Sequence, residues 1–242
     1  MDSSQRSVIV SQTSRENVRG DIRRAGETVH PELGYNGCRT LYEGFRRGHK
    51  LNALGACLGF RAISTNGLAT PYIYTSYTEV LARINAFAAG LHALNLVPPT
   101  QDDGNMILIG LYMANSMEWF ISEQAIFCFS GATVPFYDTL GPESVQFILN
   151  QTSTKTVVCS RKELPRLCTV KMSGRCPYFE VVVLVDGVTT NAAKIGKAAG
   201  LSVMSFAKVE AGTQFCQTKI IRSQVLCRHS HLFLDLRQLL VM

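Results

Sequence analysis

Between residues 106 and 206 the sequence alternates short apolar runs with stretches of helical periodicity, and no other feature limits the fold as strongly. Residues 106–112 are almost unbroken apolar, the mark of a strand covered on both faces. Residues 132–137, 156–160, 181–186 and 201–206 read as further strands, and 71–77, with aromatic and β-branched residues interleaved with polar ones, as an earlier one. Helical signals lie between them. Ser76 with Glu79 is a capping pattern that opens a helix whose apolar positions Val80, Ile84, Phe87, Leu91 and Leu94 form one stripe. Asn115 with Glu118 opens another, which Gly131 closes in the left-handed conformation. Asp102, Asp103 and Gly104 make a turn, and Pro142 starts a helix over 143–150. A helix over 190–199 stops at Gly200, and Thr40 with Glu43 caps one over 41–48. Parallel strands need crossover helices that cover the sheet, so residues 71–206 are predicted to form an α/β fold, a doubly wound, mostly parallel sheet with flanking helices.

Composition narrows the class. With 46% hydrophobic residues and a net charge of +6 over 242 residues, the chain has the apolar content to bury a core and is not disordered in bulk. The apolar stretch 125–136 is broken by Ser130, Gly131, Thr133 and Pro135, so no spanning helix is expected. Residues 1–24 lack an apolar segment of signal-peptide length, which predicts a cytosolic start. The eight cysteines, at 38, 57, 128, 159, 168, 176, 216 and 227, form no CxxC pair and read as reduced core thiols. Residues 51–150 carry two basic against seven acidic side chains and most of the aromatic ones, whereas the excess of Lys and Arg lies elsewhere. Nucleic-acid recognition, which puts stacking aromatics among cations, is not expected.

Ligands of such sheets bind at the carboxyl ends of the strands, here the loops after Tyr77, Tyr112, Tyr137, Ser160 and Asp186. None carries a GxGxxG, GxxxxGK or Gly-x-Ser-x-Gly pattern. Asp138 is placed to hold a ribose or a metal, but a turn in which it bonds its own backbone explains it better. Glu118 beside Trp119 reads as a first-turn acid complementing the helix dipole rather than an acid in an apolar pocket. His229 and His231 would need Cys227 or Asp235 to hold a metal, and His30, His49 and His92 are scattered. Asn150-Gln151-Thr152 fits a glycosylation sequon without a secretory context.

Several segments resemble the amino-terminal part of AMP-forming long-chain acyl-CoA synthetases of the adenylate-forming superfamily. Leu41-Tyr42-Glu43-Gly44-Phe45-Arg46-Arg47-Gly48 is similar to the family's entry helix and Tyr77-Thr78-Glu79-Val80 to its strand-to-helix step. The most specific part is Ile109-Gly110-Leu111-Tyr112 through Glu118-Trp119, followed by Val134-Pro135-Phe136-Tyr137-Asp138-Thr139-Leu140-Gly141, where the long-chain branch reads N-x-x-E-W and then VPLYDTLG. Residues 193–205 are similar to the segment before the family's nucleotide-binding loop. That Ser/Thr/Gly-rich loop ending in Pro-Lys-Gly, expected soon after Glu210, does not occur in these residues. Ser64-Thr65-Asn66-Gly67 with Thr70-Pro71 echoes it without the lysine.

The resemblance implies a division into an irregular or disordered segment 1–39, a partial AMP-binding domain 40–210 and a divergent tail 211–242, read as a retained intron, frame change or truncated gene model. It implies a parent enzyme that converts fatty acid, ATP and CoA, with Mg, to acyl-CoA, AMP and pyrophosphate. The parent would be cytoplasmic or peripheral on the reticulum or peroxisomal membrane. For these 242 residues the expectation is an inactive amino-terminal fragment without cofactors and with no catalytic, cofactor-binding or metal-ligating residue assigned. The alternative is a non-catalytic α/β module that binds a nucleotide or a protein.

Overall fold

The computed structural model of the chain describes residues 7–11, 22–25, 37–100, 105–137 and 139–212. They belong to two compact units, residues 1–48 and 49–242. In the first, β1 (Ser7–Ser11) and β2 (Ile22–Ala25) pair antiparallel, with a register shift between Ile9 and Ser11. These strands lie within the segment read as irregular. Helix α1 (Leu41–Leu51) starts where the sequence places it: Thr40 Oγ1 accepts from Glu43 N at 3.1 Å while Glu43 Oε2 accepts from Thr40 N at 3.2 Å. This reciprocal pair satisfies two amides the helix itself cannot.

The second unit holds α2 (Tyr77–Ala93), α3 (Met117–Phe127), α4 (Pro142–Thr152), α5 (Leu164–Met172), α6 (Thr190–Ala198) and α7 (Phe206–Ala211). Its main sheet is five parallel strands in the order β6-β5-β7-β8-β9, formed by β5 (Leu108–Tyr112), β6 (Ala132–Pro135), β7 (Thr156–Cys159), β8 (Val181–Leu184) and β9 (Ser202–Ser205). The chain enters at β5, steps outward to β6, returns across β5 to β7 and continues outward through β8 and β9. Right-handed crossovers make the helix change sides when the direction reverses, so α3 lies on one face and α4, α5 and α6 on the other. Every residue of β5, β7 and β8 is buried, as their continuous apolar sequences require. Tyr112, Val157, Cys159, Val182 and Leu184 face α4–α6 in one core with Val145, Leu149, Leu164, Leu167 and Ala192. The alternate residues Ile109, Leu111, Val158 and Val183 turn to the opposite face.

The structure corrects the sequence reading in four places. The strand expected at 71–77 does not join the parallel sheet. As β4 (Ile73–Ser76) it pairs antiparallel with β3 (Ala56–Phe60), a strand the sequence reading did not identify. Ser116, not Asn115, caps α3, its hydroxyl accepting from Trp119 N at 3.2 Å. The left-handed residue that ends this helix is Ser130 (φ 57°), not Gly131. Gly131 is required for space, since a Cβ there would sit 2.5 Å from the Ile107 carbonyl oxygen. Helices α5 and α7 were not foreseen, because α5 opens on Leu164-Pro165 without a capping side chain and α7 is only six residues long.

Helix α2 has its expected capping box, with Ser76 accepting from Glu79 N and Glu79 Oε2 from Ser76 N at 2.8 Å. Its stripe Val80, Ile84, Phe87 and Leu91 is fully buried, while Leu94, past the last turn, is 41% exposed. The reading of cysteines as reduced core thiols holds for Cys128, Cys159, Cys168 and Cys176, which are buried outside any disulfide, and Cys38 and Cys57 are half-buried thiols. Cys216 and Cys227 lie outside the described residues.

Candidate functional site at the carboxyl edge of the sheet

The direction of the sheet reverses between β5 and β7, so two neighbouring strands send their following segments to opposite faces and leave a crevice at their carboxyl ends. Four side chains meet behind it. The Ser160 amide, just past β7, donates to the Tyr112 carbonyl at 3.3 Å, closing the strand ends together. The Ser160 hydroxyl is shielded from solvent and has no hydrogen-bond partner among the described residues. Tyr112 is the last residue of β5; its ring is buried against Phe136 (centroids 5.7 Å apart) and its hydroxyl accepts from the Arg166 guanidinium. The same Arg166 nitrogen donates to the Leu140 carbonyl at 2.9 Å, tying the turn after β6 to the end of β5. Burial raises the Tyr112 phenol above its ordinary value, opposed by the Arg166 charge and reinforced by Glu163. Glu163 is itself buried at the end of a single 3-10 turn (Arg161–Glu163) and pairs with Lys162 at 3.4 Å. Spacing alone could not find this cluster, because its members come from three strand ends and a helix whose start carries no capping signal.

The other sequence candidates are used structurally. Asp186, past β8, accepts from the Arg161 amide at 2.7 Å, and its carbonyl accepts from the Arg161 guanidinium, so it locks adjacent strand ends. Glu118 pairs with Arg83 at 3.4 Å, and Arg83 reaches Glu210 at 2.9 Å, joining α2, α3 and α7. The loop after Tyr77 is no loop, since Tyr77 begins α2. Asn150-Gln151-Thr152 ends α4, where the Thr152 hydroxyl donates to the Ile148 carbonyl. His49 Nε2 lies 3.3 Å from Thr78 Oγ1 and His92 stacks on Phe129. Asp102, Asp103, Gly104, Asp138, His30, His229 and His231 lie outside the described residues. Among the described residues, no three His, Cys, Asp or Glu side chains gather to hold a metal ion, and no helix is long and apolar enough to cross a membrane.

A shallow groove of about 280 Å³ lies one strand away, between α5 and α6, bordered by Arg161, Lys162, Pro165, Thr189 and Asn191. Its polar positions are partly spent, with Arg161 on Asp186 and Thr189 capping α6 through the Ala192 amide at 3.2 Å.

Segment 64–71 does not offer the triphosphate cradle that its sequence echoes. Holding three phosphates takes converging backbone amides and a lysine. The segment that echoes such a loop, 64–71, closes on itself: the Ser64 hydroxyl donates to the Leu68 carbonyl, Asn66 Oδ1 accepts from the Leu68 amide, and Arg61 Nε donates to the Thr70 carbonyl. It is the turn of the β3–β4 hairpin.

Comparison with known proteins puts this geometry in context. A family model described as AMP-binding enzyme matches residues 60–212. The chain is 31% identical over 195 residues to human long-chain-fatty-acid–CoA ligase 6, covering 79% of this chain and 26% of that protein. It is 28% identical to the peroxisomal long chain acyl-CoA synthetase 7 of Arabidopsis thaliana, over 74% of this chain and 24% of that protein. It thus spans about a quarter of the length of the curated relatives it matches. Among solved structures, the adenylation domain of a carboxylate reductase from Mycobacterium chelonae superposes with a TM-score of 0.53 at 18% identity, over 75% of this chain and 30% of that one. The A domain of carboxylic acid reductase from Segniliparus rugosus gives 0.52 at 15%, over 73% and 30%. These two likenesses establish the shared fold.

Proposed function

Because this chain belongs to the AMP-binding enzyme family, we propose that residues 40–210 are the amino-terminal part of the AMP-binding domain of a long-chain fatty acid:CoA ligase. The parent would join fatty acid to AMP with release of pyrophosphate and then pass the acyl group to CoA, using ATP and Mg. The observation that carries this is the 31% identity to a long-chain ligase over most of the chain. What these residues supply is the framework: a sheet closed at its carboxyl edge by the Tyr112–Arg166–Leu140 bridge. Segments 1–39 and 211–242 are taken to lie outside that domain, and the parent to work in the cytoplasm or on the reticulum or peroxisomal surface.

Taken alone, the 242 residues do not contain in sequence the Ser/Thr/Gly-rich loop ending in Pro-Lys-Gly whose donors would meet the charge that develops on pyrophosphate, each such donor being worth about 2.7–4 kcal/mol. They are therefore expected to be inactive. Two measurements test the proposal: ATP-dependent acyl-CoA formation by the purified chain, and by a chimera in which residues 60–212 replace the matching part of human long-chain-fatty-acid–CoA ligase 6. The chain should give no turnover, and the folded chimera should activate a long-chain fatty acid. Turnover by the chain alone, or a folded but inactive chimera, overturns the reading.

A further inference from the structure

The tip of the β3–β4 hairpin carries chemistry of its own. Residues 64–68 close a turn in which the Ser64 amide donates to the Leu68 carbonyl and the Gly67 amide to the Ser64 carbonyl, both at 2.9 Å. Asn66 and Gly67 are exposed in this turn, and Gly67 takes φ 79°, with nothing within 4 Å of where a Cβ would stand. Any other side chain there would be strained and would crowd the amide; glycine leaves it bare. Asn66 Oδ1 accepts from the Leu68 amide at 3.2 Å, which draws electrons from Cγ, while Nδ2 has no hydrogen-bond partner among the described residues. An electrophilic carbon with its leaving nitrogen in water therefore stands next to an unhindered backbone amide in the chain, and the two can close into a succinimide ring.

We propose that Asn66–Gly67 is a self-modification site at which the folded chain deamidates through that succinimide. The Gly67 nitrogen, giving its proton to water, forms a bond to Asn66 Cγ; the Cγ–Nδ2 bond breaks, and Nδ2 leaves as ammonia after taking a proton from water. A second water then opens the ring. Cleavage between the Gly67 nitrogen and Cγ leaves aspartate at position 66, whereas cleavage between that nitrogen and the main-chain carbonyl carbon leaves isoaspartate, with an extra methylene in the backbone. Water is the one co-reactant. What the fold sets against the attack is the bond from the Gly67 amide to Ser64, which must open, and a bond between exposed neutral groups slows the reaction by about tenfold at most. The product matters to this segment, because residues 51–78 hold one charged side chain, Arg61, and no acid, so deamidation puts the first carboxylate among them. The isoaspartate form also lengthens the turn that fixes the register of β3 on β4.

The test is incubation of the full chain at neutral pH, once folded and once in urea, with mass spectrometry of the peptide 62–83 that trypsin releases at Arg61 and Arg83. This peptide contains no other Asn and no Gln, so a gain in mass by amide-to-acid exchange reports Asn66 alone; Asn36–Gly37, the other such pair in the sequence, falls in a separate peptide. Labelling by an isoaspartyl methyltransferase identifies the rearranged product. Asn66 should deamidate in the folded chain within about tenfold of its rate in urea, with isoaspartate among the products. Gly67→Ala should slow the reaction at least about tenfold in urea, where folding of the variant has no bearing on the result. Survival of Asn66 in the folded chain while it reacts in urea overturns the proposal, and so does a folded rate lower than that range, a product without isoaspartate, or a Gly67→Ala rate equal to that of the wild type.

Discussion

Gly90 is the point where α2 and α7 touch, and replacing it with alanine isolates what holds the last described helix in place. A Cβ at this position would lie 1.8 Å from the Val209 carbonyl oxygen and 2.7 Å from its carbon, both backbone atoms that no rotamer change can move. Helix α7 must retreat by about 1.6 Å to reach the 3.4 Å at which ordinary contact begins. Overpacking of this kind costs about 1–3 kcal/mol. The retreat also loosens the Phe87–Phe206 stack, whose centroids are 4.0 Å apart, worth about 0.5–1.5 kcal/mol beyond burial. It pulls Glu210 from Arg83 as well, an ion pair whose side chains are 19% and 32% exposed and which contributes no more than about 1 kcal/mol after screening. Against this stands the gain of about 1 kcal/mol from replacing glycine within a helix. Gly90→Ala should therefore destabilise the second unit by about 0.5–4.5 kcal/mol, lowering its thermal midpoint by roughly 1–18 °C. Gly44→Ala in α1, where nothing lies within 4 Å of the added carbon, should instead stabilise its helix by about 0.5–1 kcal/mol. Circular-dichroism melts and urea titrations of both variants measure the difference. A Gly90→Ala protein that melts with or above the wild type would refute the packing argument.

Three further outcomes follow from the same structure. Arg166→Ala removes the donor to Tyr112 and Leu140 and should cost about 1.5–3 kcal/mol in urea unfolding; because Arg166 favours the phenolate, ultraviolet titration should find the Tyr112 phenol ionising at higher pH than in the wild type. Ser160→Ala replaces a shielded hydroxyl that has no partner among the described residues, so stability should hold or rise by up to about 1 kcal/mol, and a clear loss in the same unfolding assay would show that the hydroxyl is bonded. Burial raises the Glu123 carboxyl, so its contribution to stability is present below the ordinary carboxylate range near pH 4.3 and is lost as pH rises through the raised value. Glu123→Gln should then melt above the wild type at pH 7–8, with the gap closing toward pH 4.

The candidate site shows how far one-dimensional reasoning reaches. Of the five loops that the strand-end rule offers, after Tyr77, Tyr112, Tyr137, Ser160 and Asp186, the structure joins the strand ends at Tyr112 and Ser160. Arg166 was invisible to that rule: a lone arginine two residues past Leu164 looks like a solvated charge until folding brings it against Tyr112 and Leu140, 54 and 26 residues away. Likewise 73–76 is extended, as its aromatic and β-branched residues favour, but pairs outside the parallel sheet, because such residues favour any pleated strand and do not specify its neighbour.

Local chemistry was sufficient for elements whose causes lie within four or five residues. The capping boxes of α1 and α2, the buried runs of β5, β7 and β8 and the Gly200 stop are all of this kind, since backbone amides and apolar stripes are satisfied by near neighbours. Strand order, the reversal between β5 and β7, the need for glycine at 90 and 131 and the pairing of β4 with β3 belong to the tertiary structure alone. Each depends on which distant segments approach within van der Waals reach, and packing at that range depends on the shape of both surfaces, which neither segment encodes by itself.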